Sequence, residues 1–142
     1  MNDNIEQTDK AQKGKGKLFV QFTAFLYIGL GLLFMLNPAG MASGLGFENL
    51  NKNALTDIMA TYGGLELGLG IFILITLKEN GLKLALKIIF FTFAGFALGR
   101  ALAAIRFQGF YGDHCFWLAF ELIYLLITKH FLRKNKQQEA PK

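Results

Sequence analysis

One cysteine, two prolines and one tryptophan in 142 residues leave several common architectures without material. A lone Cys115 can close no intrachain disulfide and supply no two-cysteine metal site, and it says nothing about redox compartment. Charge is also scarce: 18% of residues are charged against 53% hydrophobic, too much apolar chain for one soluble core of ordinary surface-to-volume ratio. The glycine-rich stretch from Gly63 to Gly70 lacks the Lys-Ser/Thr element of a phosphate loop. No nucleophile–base pair, metal cluster or redox pair can be picked out, so no catalytic residue, metal or cofactor is expected. The net charge of +5 comes from short basic clusters that flank apolar runs, without interleaved aromatics. That pattern excludes a nucleic-acid surface and fits charges at the rim of a lipid bilayer.

What is present is a succession of apolar runs, each about long enough to cross a membrane. Residues 1–17 are polar and basic and are expected to form a disordered cytoplasmic tail. The first span covers about 18–36, longer than the apolar core of a cleavable signal peptide, and ends at Asn37-Pro38. Asn caps helices and Pro suits a first helical position, so a short interfacial helix near Pro38 to Ser43 follows. Further spans are expected at about 54–77, 82–105 and 114–131, separated by the polar turn Lys78 to Gly81 and a short loop from Gln108 to Asp113. The fold class is therefore all-α: a polytopic four-transmembrane antiparallel helical bundle over 18–132, followed by a basic tail at 133–142 that leaves the membrane and frays. Trp117 and Tyr111 suit an outer aromatic belt.

Lys and Arg divide unequally between the two sides. Twelve fall on the side of the termini and only Lys52 and Arg106 on the other, which places both termini in the cytoplasm. Arg100 remains within the third span.

Charges inside apolar spans mark the candidate site. Glu66 stands near the middle of the second span, Arg100 about two-thirds along the third and Glu121 near the middle of the fourth. At about 1.5 Å of rise per residue, Arg100 lies about 9 Å outward of the two acids, a gap its side chain can largely close. A cluster of Glu66, Arg100 and Glu121 is expected, with Tyr62 one turn above Glu66 and Tyr124 one turn along from Glu121. His114, Trp117, Glu121, Tyr124 and Thr128 recur at helical steps and form one inward stripe. His114, with Asp57 at the same side, is a candidate relay at the outer interface. Gly63 and Gly70 share the face of Glu66 and leave room beside it, while Gly64/Gly68 and Gly95/Gly99 read as small-residue packing seams. Two carboxylates sharing one guanidinium carry one negative charge in excess, and a low-dielectric interior is expected to keep a proton there. Either the cluster exchanges that proton or a cation, or the ions only staple the helices in register.

The span ending in Asn37-Pro38, the segment Ala60-Thr61-Tyr62-Gly63-Gly64-Leu65-Glu66-Leu67-Gly68, the pair Gly99-Arg100 and Glu121 together resemble the bacterial inner-membrane family known as domain of unknown function 4345. Tyr62-Gly63-Gly64 is the most specific element, and the resemblance covers roughly 18–132. Met59 stands where many relatives carry a basic residue. The resemblance implies a four-helix inner-membrane protein without assigned chemistry, associated with envelope integrity and drug permeability. The leading expectation is a non-enzymatic protein that supports envelope homeostasis by modulating or assembling with a membrane complex, or as a homo-oligomer, with the bilayer as its constant partner. The alternatives are a small proton-coupled transporter using an intramembrane carboxylate, and a membrane enzyme acting on lipid or quinone.

Overall fold

The structure, a computed structural model, describes residues 2–109 and 113–138, with side chains over 13–109 and 113–135. Tyr111, read as part of an aromatic belt, and residues 139–142 of the basic tail lie outside the described residues. Four helices are long and apolar enough to cross a membrane: Lys13–Leu36, Lys52–Glu79, Leu82–Arg106 and His114–Asn135. The protein is an all-α, four-span membrane bundle.

The first helix, α1, runs Asn2–Leu36. The disordered tail expected over 1–17 is thus helical from Asn2 onward. Its Glu, Gln, Lys and Ala residues are good helix formers, and the apolar span supplies a nucleus from which turns propagate at little cost. Gly16 does not break it and packs inward, where an added Cβ would stand 3.0 Å from Leu82. Helix α2, Pro38–Gly44, starts where Asn37 and Pro38 place it: the Asn37 side chain accepts a hydrogen bond from the Gly40 amide at 3.1 Å. Helix α3, Lys52–Ile58, is capped in the same way by Asn51, which accepts from the Ala54 amide at 2.9 Å.

The second span is not one regular α-helix. Met59–Leu65 is a π-helical segment, and α4, Glu66–Glu79, follows it directly, so helix is continuous over Lys52–Glu79. Gly81, at φ +84°, turns the chain into α5, Leu82–Arg106. Helix α6, His114–Gln138, carries regular structure past residue 131 into the basic segment that was expected to fray.

Helix α1 packs chiefly on α4, and α5 chiefly on α6; α1 also touches α5 and α6, and α5 also touches α4, so the two pairs close on one another. The core lies where these meet, around Val20, Ala24, Tyr27, Ile73, Leu86 and Phe93. A smaller cluster of Phe34, Ala42 and Ile58, with Tyr62 against it, closes the end at α2 and α3. Large apolar side chains such as Phe22, Phe91, Ile105 and Leu126 point outward, as lipid-facing residues do.

The tight seam is between α1 and α4. An added Cβ at Gly31 would come within 2.5 Å of the Leu67 amide nitrogen, at Gly63 within 2.6 Å of Met35, and at Gly70 within 2.6 Å of the Ala24 carbonyl. The seams expected at Gly64/Gly68 and Gly95/Gly99 do not form within the bundle, since a Cβ at Gly68, Gly95 or Gly99 meets nothing within 4 Å and one at Gly64 only the Met59 carbonyl at 3.9 Å. Glycine spacing shows where a helix can be approached, and the approaching backbone is that of Gly31, on a different span.

Candidate functional site

Arg100 lies six residues before the end of α5 and Glu121 seven after the start of the antiparallel α6, so both sit about 9 to 10 Å inside the same end of the bundle. At that matched depth the Arg100 Nε donates to Glu121 Oε1 at 2.6 Å. Glu121 is 3% exposed, whereas the Arg100 side chain is 30% exposed, so the pair is buried on its acidic side and open on its basic side. Arg100 Nη1 also lies 2.9 Å from His114 Nδ1 at the start of α6. A guanidinium can only donate, which assigns the acceptor role to Nδ1 and the proton of the neutral ring to Nε2.

Glu66, the first residue of α4, is placed directly after the π segment. Its Oε2 is buried without a hydrogen-bond partner among the described residues, as are Glu121 Oε2 and the Tyr27 hydroxyl. Tyr27, on α1, is 5% exposed in the core cluster that also holds Tyr124. Its ring meets Phe93 edge-on at 6.3 Å, and Phe93 in turn stacks on Tyr124 at 4.2 Å. The Tyr124 hydroxyl is 3.3 Å from that of Thr23. The polar groups thus form a broken file in the core: the His114–Arg100–Glu121 cluster, the Tyr124–Thr23 hydroxyl pair, and Tyr27 and Glu66 with unpartnered oxygens.

The structure brings Arg100, Glu121, His114 and Tyr124 into one neighbourhood, but it leaves others apart. Glu66 has no ion pair with Arg100: the guanidinium is turned to Glu121 and His114 on α6, and the Glu66 carboxylate packs at the α1–α4 seam. Tyr62 turns the other way, stacking on Phe34 at 5.2 Å and meeting Phe47 edge-on at 6.4 Å, so it takes no part. Asp57 is exposed on α3 and does not line the cleft beside His114. Of the expected stripe on α6, Glu121, Tyr124 and Thr128 are buried, while His114 and Trp117 are exposed. The open space expected beside Glu66 at Gly63 and Gly70 is filled by α1. Tyr27 and Thr23 went unnoticed in the sequence, although two polar residues four apart in an otherwise apolar span share one face.

A cleft of about 240 Å³ opens beside the basic end of the ion pair, lined by Gly99, Arg100, Ala103, Ala104, Phe107 and His114. Among the described residues no three His, Cys, Asp or Glu side chains come together in a way that would hold a metal ion. Cys115 is exposed. The arrangement holds a buried ion pair and three buried polar oxygens that have no hydrogen-bond partner among the described residues.

Comparison with known proteins adds one finding. The family model described as Domain of unknown function (DUF4345) matches residues 16–129 and so contains every residue of the polar file. No curated protein and no solved structure matches the chain.

Proposed function

The chain belongs to this family of unknown function, and since membership assigns no chemistry, we propose from the site that it works without enzymatic activity, as a proton-exchanging protein of the bacterial inner membrane with both termini cytoplasmic. Glu66 carries this reading. Its Oε2 is buried within a membrane span and accepts no hydrogen bond among the described residues, whereas Glu121 holds Arg100. A carboxylate kept only to staple helices would be expected to have a partner, because unpaired charge in a span costs several kcal/mol. A carboxyl group that takes up and releases a proton has a reason to lack a permanent one. The buried Tyr27 hydroxyl, which also has no hydrogen-bond partner among the described residues, is the candidate to relay that proton. Envelope maintenance, which the family resemblance implies, is the setting in which such exchange would act.

Purified protein in liposomes is expected to dissipate an imposed pH gradient, and Glu66→Gln to abolish this while leaving the helical content and unfolding transition unchanged. Glu66→Gln with full proton flux and full rescue of drug or detergent resistance in a deletion strain would end this reading. Assembly into a larger complex is the second reading, favoured by the open outward faces at Gly68 and Gly95. It expects crosslinking between copies, or to a partner, through cysteines introduced at those two positions.

A further inference from the structure

The Arg100 guanidinium has five N–H groups, and the bundle engages one through Nε and one through Nη1. The remaining N–H groups belong to a side chain 30% exposed that lines the cleft. Elsewhere the cleft wall is small or apolar: Gly99, Ala103 and Ala104 give width, and Phe107 a flat side. Gly99 marks open space, since an added Cβ there meets nothing within 4 Å. Because Nη1 reaches His114, the first residue of α6, the guanidinium head stands near the level where that helix leaves the membrane. Ala103 and Phe107 are exposed, so the cleft is open at the side of the bundle, toward lipid.

A charged donor head at the interface, above a small apolar trough that opens sideways, has the chemistry to hold an anionic amphiphile. The head takes the charge through charge-assisted hydrogen bonds, and the trough takes the first carbons of a chain. We propose that this cleft binds the headgroup phosphate of an anionic phospholipid from the leaflet opposite the termini, with Arg100 reading the charge and His114 orienting its guanidinium. Lipid binding here does not require Glu66 to exchange a proton, although Arg100 and His114 also belong to the polar groups of the bundle.

The test is native mass spectrometry of the purified chain titrated with phosphatidylglycerol, phosphatidylcholine and decanoate. Wild type is expected to retain one phosphatidylglycerol saturably and at least tenfold more tightly than phosphatidylcholine. Gly99→Leu grows into open space and occludes the cleft, so it should lower that affinity at least tenfold without lowering the unfolding temperature. Ala103→Leu should do the same from the other wall. Arg100→Gln combined with Glu121→Gln removes both charges together and should erase the preference for the anionic lipid. If Gly99→Leu and Ala103→Leu bind phosphatidylglycerol as wild type does, the lipid sits at the lysine-rich end of the bundle and the proposal is overturned. It is equally overturned if decanoate binds saturably and phosphatidylglycerol does not.

Discussion

At the scale of the residue, the pair Arg100–Glu121 sets the energetics. Removing Arg100 alone leaves a carboxylate 3% exposed without its cation, so Arg100→Ala should destabilise the bundle by about 3–5 kcal/mol in reversible unfolding from detergent. Arg100→Gln with Glu121→Gln should recover most of that loss, and a double variant as unstable as the single one would show that the ion pair is not what holds these helices. Tyr27 presents the opposite case. Its buried hydroxyl has no partner among the described residues, so Tyr27→Phe should leave stability unchanged or raise it by up to about 1 kcal/mol, yet it should slow proton flux if the hydroxyl lies on the path from Glu66. The pairing of Arg100 with Glu121 was legible in the sequence because a charge in an apolar span is rare and its depth can be counted in residues, whereas the contact of His114 with Arg100 was not. Tyr27 was not legible either, because tyrosine is an ordinary constituent of spans and only the packing of α1 against α4, α5 and α6 gives it a role. Arg100 turns to α6 and leaves Glu66 without it, an outcome that depth alone, which fixes height and not azimuth, could not reveal.

At the scale of the element, the α1–α4 seam depends on backbone meeting backbone. A methyl group at Gly70 would fall 2.6 Å from the Ala24 carbonyl oxygen, and one at Gly31 2.5 Å from the Leu67 nitrogen. Gly70→Ala and Gly31→Ala should each cost about 1–3 kcal/mol, because neither contact can be relieved by turning a side chain. Gly95→Ala should instead stabilise by up to about 1 kcal/mol through helix propensity, since nothing lies within 4 Å of its added Cβ. Circular dichroism during chemical unfolding distinguishes the three. The short helix after the first span could be read from Asn37-Pro38, because capping is local chemistry. The π segment at Met59–Leu65 could not, because an i→i+5 hydrogen-bond pattern has no residue code of its own. Its place immediately before Glu66 fits the frequent occurrence of such segments at functional sites. The continuation of α1 back to Asn2 was missed for a related reason: low hydrophobicity argues against a core but not against a helix extended from one already formed.

At the scale of the whole molecule, four spans and a strong asymmetry of Lys and Arg determine how the bundle should lie in a membrane. A reporter enzyme active only in the periplasm should be silent when fused at the C-terminus and active when inserted in the connection between Gly44 and Lys52. The reverse result would invert the bundle and put the cleft, still opposite the termini, in the cytoplasmic leaflet. The four-span architecture was legible in full because hydrocarbon imposes a length and forbids unpaired backbone, constraints that leave little choice of fold. Pairing among the spans was not, since a polar or glycine face shows which side of a helix turns inward but not which helix it meets. One feature gives the assembled molecule an optical coordinate. Trp117 is its single tryptophan, three residues along α6 from His114, 38% exposed and set edge-on to Phe116 and Phe120. Its emission is therefore a clean ruler for immersion: bromine carried high on a lipid chain should quench it more strongly than bromine near the chain's end, and a lipid seated in the neighbouring cleft should alter that ratio without any label added to the protein.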